Sequence, residues 1–226
     1  MRIRTFVIGY VLALALLLFA QRRGEPQQPG GFSSVVDLTK TAGATYGSRL
    51  AGTRIVAPAQ LNSGLWTVDQ IPAERLIAPL VVIDVSASSF ENSDYQLSVE
   101  DIASWEKMHG HIPLGAIVVA RTGWDPGWNG QKSDRSLHYP GYSEDAARFL
   151  VDGRRVLGLG IDTASLDPGS TKVSLARRYA LEHSVYPLEN VANLNRVPAT
   201  GSVAVVAPMK VAGGTSGPVR VLALLH

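Results

Sequence analysis

The chain has 226 residues, 46% of them hydrophobic, which suits one globular domain able to bury a sizeable core. Cysteine is absent, so thiolate metal sites, cysteine nucleophiles and disulfides are excluded. Lys and Arg number 21 against 19 acidic residues, and without Arg2 and Arg4 near the N-terminus the two signs balance at 19 each. A neutral surface without a basic run gives no electrostatic footprint for nucleic acid.

In chain order, Arg2 and Arg4 precede an uncharged apolar run from Phe6 to Ala20. This pattern is that of a signal peptide or an N-terminal membrane anchor, so residues 1–20 are expected to place the domain outside the cytoplasm, with any membrane contact confined to this segment. The stretch QRRGEPQQPGG follows, and residues 21–34 read as a flexible linker because Gln, Pro and Gly bury little apolar surface. The domain is expected over residues 35–226. Apolar runs rich in β-branched residues at Leu80–Val85, Ala116–Ala120, Val156–Ile161, Val203–Ala207 and Val219–Leu225 predict buried strands. Ser98 with Asp101 forms a capping box ahead of IASWEKM, with Gly110 as the stop, and Ser143 opens a second helix, EDAARFLVDG, ending at Gly153. The class is α/β.

Several short signals carry chemistry only weakly. VLGLGIDTASLDPG has Gly158 and Gly160 but lacks the third glycine of a dinucleotide fingerprint. Ser216 in GGTSGP does not fit G-x-S-x-G and precedes a strand rather than a helix, so it reads as part of a turn. His109 and His111 flank Gly110, and His138 and His183 stand apart in sequence, each a candidate base only if folding supplies partners. The loop ARTGWDPGWNG, with Trp124 and Trp128 around a DPG turn, reads either as surface packing or as a ligand-facing wall.

The segments WTVDQIPAERLIAPLVVIDV, VVARTGWDPGW, HYPGYSEDAARFL, GLGIDTASLDPG, YPLENVANLNRVP and APMKVAGGTSGPVRVLALL, in this order, resemble the cyclase family, whose best-known members are kynurenine formamidases (arylformamidases of tryptophan catabolism). The resemblance implies a single-domain swivelling β/β/α fold, a hydrolase site using a divalent metal such as zinc or manganese on amides or cyclic amides, and often a homodimer. It also implies the signature H-x-G-T-H-x-D-x-P-x-H, against which LAGTRIVAPAQ keeps Gly52, Thr53 and Pro58 only. Leu50 and Arg54 stand at the two ligand histidines, Val56 at the bridging aspartate and Gln60 at the proton-shuttle histidine. Arg177 stands at the later histidine, and Glu189 alone is retained as a family site residue. The segment TAGATYGSR, before this motif, is shorter than the family's usual one, which removes part of the substrate rim.

Leu and Val have no donor atoms and Arg is a permanent cation, so the substitutions imply no metal cofactor. Without a metal to lower the pKa of bound water toward 7, the family mechanism lacks its nucleophile, and Gln60 cannot carry a proton. The arginines have two readings. Either they neutralise Glu189 in a filled structural pocket, or two guanidinium groups over one carboxylate make an anion site. The expected function is an exported pseudoenzyme of this family, binding a small anionic or aromatic ligand or a protein partner through Arg54, Gln60, Arg177 and Trp124. The alternative is a hydrolase of the cyclic-amide type, acting on C–N bonds with a remodelled site around Glu189.

Overall fold

The computed structural model describes residues 31–41, 52–124 and 138–226. Residues 1–30, which hold the expected leader and the first ten residues of the expected linker, residues 42–49 of the short segment before the motif, Leu50 and Trp128 lie outside them; Ser34, expected in the linker, instead opens the first strand. Among the described residues no helix is long and apolar enough to cross a membrane.

The strands are β1 (Ser34–Asp37), β2 (Arg54–Val56), β3 (Ile77–Asp84), β4 (Gln96–Leu97), β5 (Ile117–Arg121), β6 (Gly141–Tyr142), β7 (Gly158–Ile161), β8 (Tyr186–Glu189), β9 (Ser202–Pro208) and β10 (Ser216–Leu225). The helices are α1 (Ser86–Glu91), α2 (Val99–His109), α3 (Glu144–Arg148) and α4 (Leu175–Glu182). Eight strands share one sheet in the order β1-β10-β2-β8-β7-β5-β3-β9, and β9 pairs back onto β10. The pairing circuit therefore closes, leaving β1 beside β2 on one edge of β10. Strands β3, β5, β7 and β8 are parallel, whereas β1, β2, β9 and β10 pair antiparallel.

Alternation along the parallel strands divides the core in two. Val81, Ile83, Val118 and Ala120 pack toward Ile102 and Trp105 of α2, Ala146 of α3 and Ala180 of α4. Their neighbours Leu80, Val82, Ile117 and Val119 face Ile55, Leu188, Val206 and Val221 across the closed sheet. Helices, parallel sheet and closing strands thus form the layers of a β/β/α fold, the α/β class that the sequence predicts.

The expected strands all form, with β3 and β10 longer than their apolar runs and β7 starting two residues later. The capping box is present: Ser98 Oγ accepts from Asp101 N at 3.2 Å, while the Asp101 carboxylate accepts from Ser98 N at 2.8 Å. Gly110 ends α2 at φ 87°, a conformation that favours glycine. Ser143 caps α3 through Ala146 N, but Phe149–Gly153 continues as a π-helical turn rather than as α-helix. Ser216 is the first residue of β10, so the turn lies just ahead of it. Gly158 and Gly160 serve packing: a Cβ at Gly158 would lie 2.6 Å from the Tyr186 ring, and one at Gly160 2.8 Å from Val119.

Candidate functional site

The Gly-Thr turn positions the site. Gly52 adopts φ 84°. Thr53 N donates to Lys40 O at 3.1 Å, while Thr53 Oγ1 accepts from Lys40 N at 2.7 Å and donates to Asn190 O at 2.6 Å. Asn190 Nδ2 returns a bond to Gly52 O at 3.2 Å. Three separate segments are stapled here, which gives Gly52 and Thr53 a structural reason to persist without a metal. The staple sets β2 antiparallel to β8 with Arg54 opposite Glu189.

Glu189 ends β8 with its side chain 1% exposed. Arg54 Nε lies 3.6 Å from its Oε2, and Arg177 Nη1 lies 3.8 Å from its Oε1. Both are ion-pair separations longer than ordinary hydrogen bonds. Pro58–Gln60 forms one 3-10 turn, with Pro58 and Ala59 buried and Gln60 exposed. Ala57 N donates to Thr215 O and Ala59 N to Trp66 O, each at 2.9 Å, so the turn is anchored on both sides. From it Gln60 Oε1 accepts a hydrogen bond from Arg177 Nη2. Arg54, Gln60, Arg177 and Glu189, far apart in sequence, therefore form one network.

Arg177 is held by α4, whose start is capped from a distance. Ser174 makes no side-chain cap bond; instead the buried Asp167 carboxylate accepts from Ala176 N at 2.8 Å and Arg177 N at 3.3 Å. Burial pushes the Asp167 carboxyl above its ordinary value, against the lowering by these amides and by the Arg177 charge. Counting Asp167, the formal charges of the two arginines and two carboxylates balance. The positive surplus is local, because Asp167 meets the backbone of Arg177 and the guanidinium ends meet Glu189 and Gln60.

A divalent cation does not fit this donor set. Val56 is fully buried where a carboxylate is needed, two of the groups are permanent cations, and one buried carboxylate with one amide cannot complete a coordination shell. Among the described residues no group of three or more His, Cys, Asp or Glu is placed to hold a metal ion.

Trp124 lies just past β5, its ring packed edge-on against Tyr139 at 5.5 Å. The turn carrying it is fixed by Asp162 at the end of β7, which accepts from Thr122 N at 3.0 Å, Thr122 Oγ1 at 2.6 Å and Gly123 N at 2.9 Å. Burial pushes the Asp162 carboxyl up, opposed by these three donors. Asp162 and Asp167 escape a reading of sequence because their partners lie on other segments. Of the histidines, His109 stacks on Trp105 and His183 Nδ1 meets Tyr179 O at 2.8 Å. His111 lies 3.5 Å from Glu106. His138, isolated in sequence, pairs with Asp94 at 2.7 Å.

The family model described as "Putative cyclase" matches residues 32–168. The isatin hydrolase of Roseibium aggregatum is 32% identical over 166 residues, covering 70% of this chain; the chain spans 63% of that relative's length. Isatin hydrolase A of Labrenzia aggregata, bound to benzyl benzoate, superposes with a TM-score of 0.78 at 30% identity, over 85% of this chain and 93% of that one. Isatin hydrolase A of Ralstonia solanacearum gives a TM-score of 0.76 at 29% identity, over 85% and 92%.

Proposed function

This chain belongs to the cyclase family, and we propose that it is an exported, non-catalytic member that binds a small carboxylate where its relatives hydrolyse an amide. The observation that carries this reading is the convergence of Arg54 and Arg177 on one buried carboxylate, at 3.6 and 3.8 Å. A ligand carboxylate approaching the guanidinium edges would add short bidentate bonds to these longer ion pairs.

The relatives support the ligand class. Hydrolysis of isatin, a cyclic amide, opens the ring to a carboxylate, so a pocket of this ancestry with its metal replaced by guanidinium groups suits a product-like aromatic acid. The kynurenine formamidase reaction likewise releases an aromatic amino acid, and either product class falls within the reading. Catalysis is not expected, because neither Gln60 nor Arg54 can generate or transfer a proton at neutral pH.

The test is calorimetric titration with aromatic and aliphatic carboxylates, at low and high salt, of the wild type, Arg54→Gln and Arg177→Lys. Loss of either fork should weaken binding by about 1.5 to 3 kcal/mol, the scale of a charge-assisted hydrogen bond. Glu189→Gln, if folded, should tighten it by removing the internal competitor. Absence of binding, or binding indifferent to both arginines, would leave a filled structural pocket. Turnover of isatin or N-formylkynurenine by chelator-treated protein would favour a hydrolase.

A further inference from the structure

A cavity of about 580 Å3 opens between the end of β1 and the β9–β10 pair. Its size falls within the range of small-molecule sites, roughly 300 to 1,000 Å3. Lys40, Arg220 and Asp37 supply its charges, and Pro208, Met209 and Val219 its apolar wall. Met209 is 62% exposed, an unbranched side chain suited to moulding itself around an apolar body.

The charges are not equivalent. Asp37 is already engaged, by Arg220 Nη2 at 2.8 Å and by Thr39 N at 3.1 Å. Lys40 makes no ion pair among the described residues, although its backbone is clamped on both sides by Thr53. One surplus positive charge on a fixed base thus stands beside an apolar wall. The cavity is distinct from the arginine network: Thr53 lines it, while the next residue, Arg54, reaches Glu189.

We infer that this cavity is a second ligand site, for an amphipathic monocarboxylate whose charged end meets Lys40 and Arg220 and whose apolar body lies on Met209. It stands independently of the arginine network.

The chain has three methionines, Met1, Met108 and Met209, so methyl-13C methionine labelling of the full chain gives a sparse and assignable spectrum. Benzoate is the probe, and benzamide its uncharged counterpart of the same shape. Benzoate should shift the Met209 methyl saturably and leave Met108, 72% exposed on α2, in place. Lys40→Gln should weaken that response by roughly tenfold or more, the fold-change expected for a lost charge-assisted contact. Arg220→Gln should weaken it to a smaller degree, and Arg177→Gln should leave it unchanged even where carboxylate binding at the arginine network is lost. A Met209 methyl that does not move, moves equally with benzamide, or is indifferent to Lys40→Gln would overturn the site.

Discussion

Arg54 and Glu189 are register partners across β2 and β8, and the pairing that aligns their backbones brings Nε to within 3.6 Å of the carboxylate. Because Glu189 is 1% exposed and Arg177 approaches from α4, the carboxylate is the common counter-charge of two cations. Removing one member of such a group leaves buried charge uncompensated, which costs about 3 to 5 kcal/mol. Glu189→Gln is therefore expected to lower unfolding free energy by about 3 kcal/mol, measured by urea denaturation with an unchanged slope. A loss smaller than that of an ordinary surface pair would mean that solvent already screens the arginines.

A different constraint operates at Gly158, where β7 packs against Tyr186. A methyl group there would sit 2.6 Å from the ring, and Tyr186 is pinned by its hydroxyl bond to Arg75 O at 2.7 Å. The ring cannot retreat without giving up that bond. Gly158→Ala should cost about 1 to 3 kcal/mol by overpacking. A double variant with Tyr186→Leu should recover part of the loss, which thermal denaturation of the two proteins would show.

These cases mark how much could be read from the chain itself. Strands β3, β5, β7, β9 and β10 are visible as β-branched runs, and α2 as a capping box with a glycine stop, because their determinants are local. Strand β2 has three residues and α4 eight, too short for periodicity to stand out. The cap of α4 is Asp167, nine residues ahead of Ala176, so no motif announces it. The identities of Arg54, Gln60, Arg177 and Glu189 as site positions rest on family resemblance. Their meeting depends on sheet register and on the placement of α4. The His138–Asp94 pair, 44 residues apart, was invisible for the same reason.

Glu106 should shape the acid limb of stability. Arg154 donates to it through Nε at 2.6 Å and Nη2 at 2.7 Å, and Ile112 N at 2.9 Å. The Arg154 bonds, against the opposing effect of burial, hold its pKa at about 2, below the ordinary 4.5. A depressed carboxyl contributes stability that is complete above the unfolded value and is lost as pH falls from there through the folded one. Glu106→Gln should cost about 1 to 2 kcal/mol at neutral pH and flatten the decline between the two values. Urea denaturation across that window, on wild type and variant, gives the comparison; parallel curves would assign the decline to other carboxylates.

The donor set predicts that the wild-type protein ignores metals: neither chelator nor added zinc or manganese should move its thermal midpoint. The backbone beneath the set is a separate matter, because the Gly52–Thr53–Asn190 staple and the β2–β8 register hold positions 54 and 56 on one face of a strand. Position 60 is within reach of position 177, as their hydrogen bond in the wild type demonstrates. A variant carrying Leu50→His, Arg54→His, Val56→Asp, Gln60→His and Arg177→His should consequently bind zinc or manganese. Free metal at about 100 times its dissociation constant would then stabilise the fold by about 2.7 kcal/mol. The sign without metal is opposite, since Val56→Asp puts a carboxylate where the wild-type valine is fully buried. Chelator should therefore lower the midpoint of the variant below that of the wild type, and metal should raise it again. A variant that stays folded by circular dichroism yet answers to neither reagent would show that the backbone has lost the ligand geometry together with the ligands.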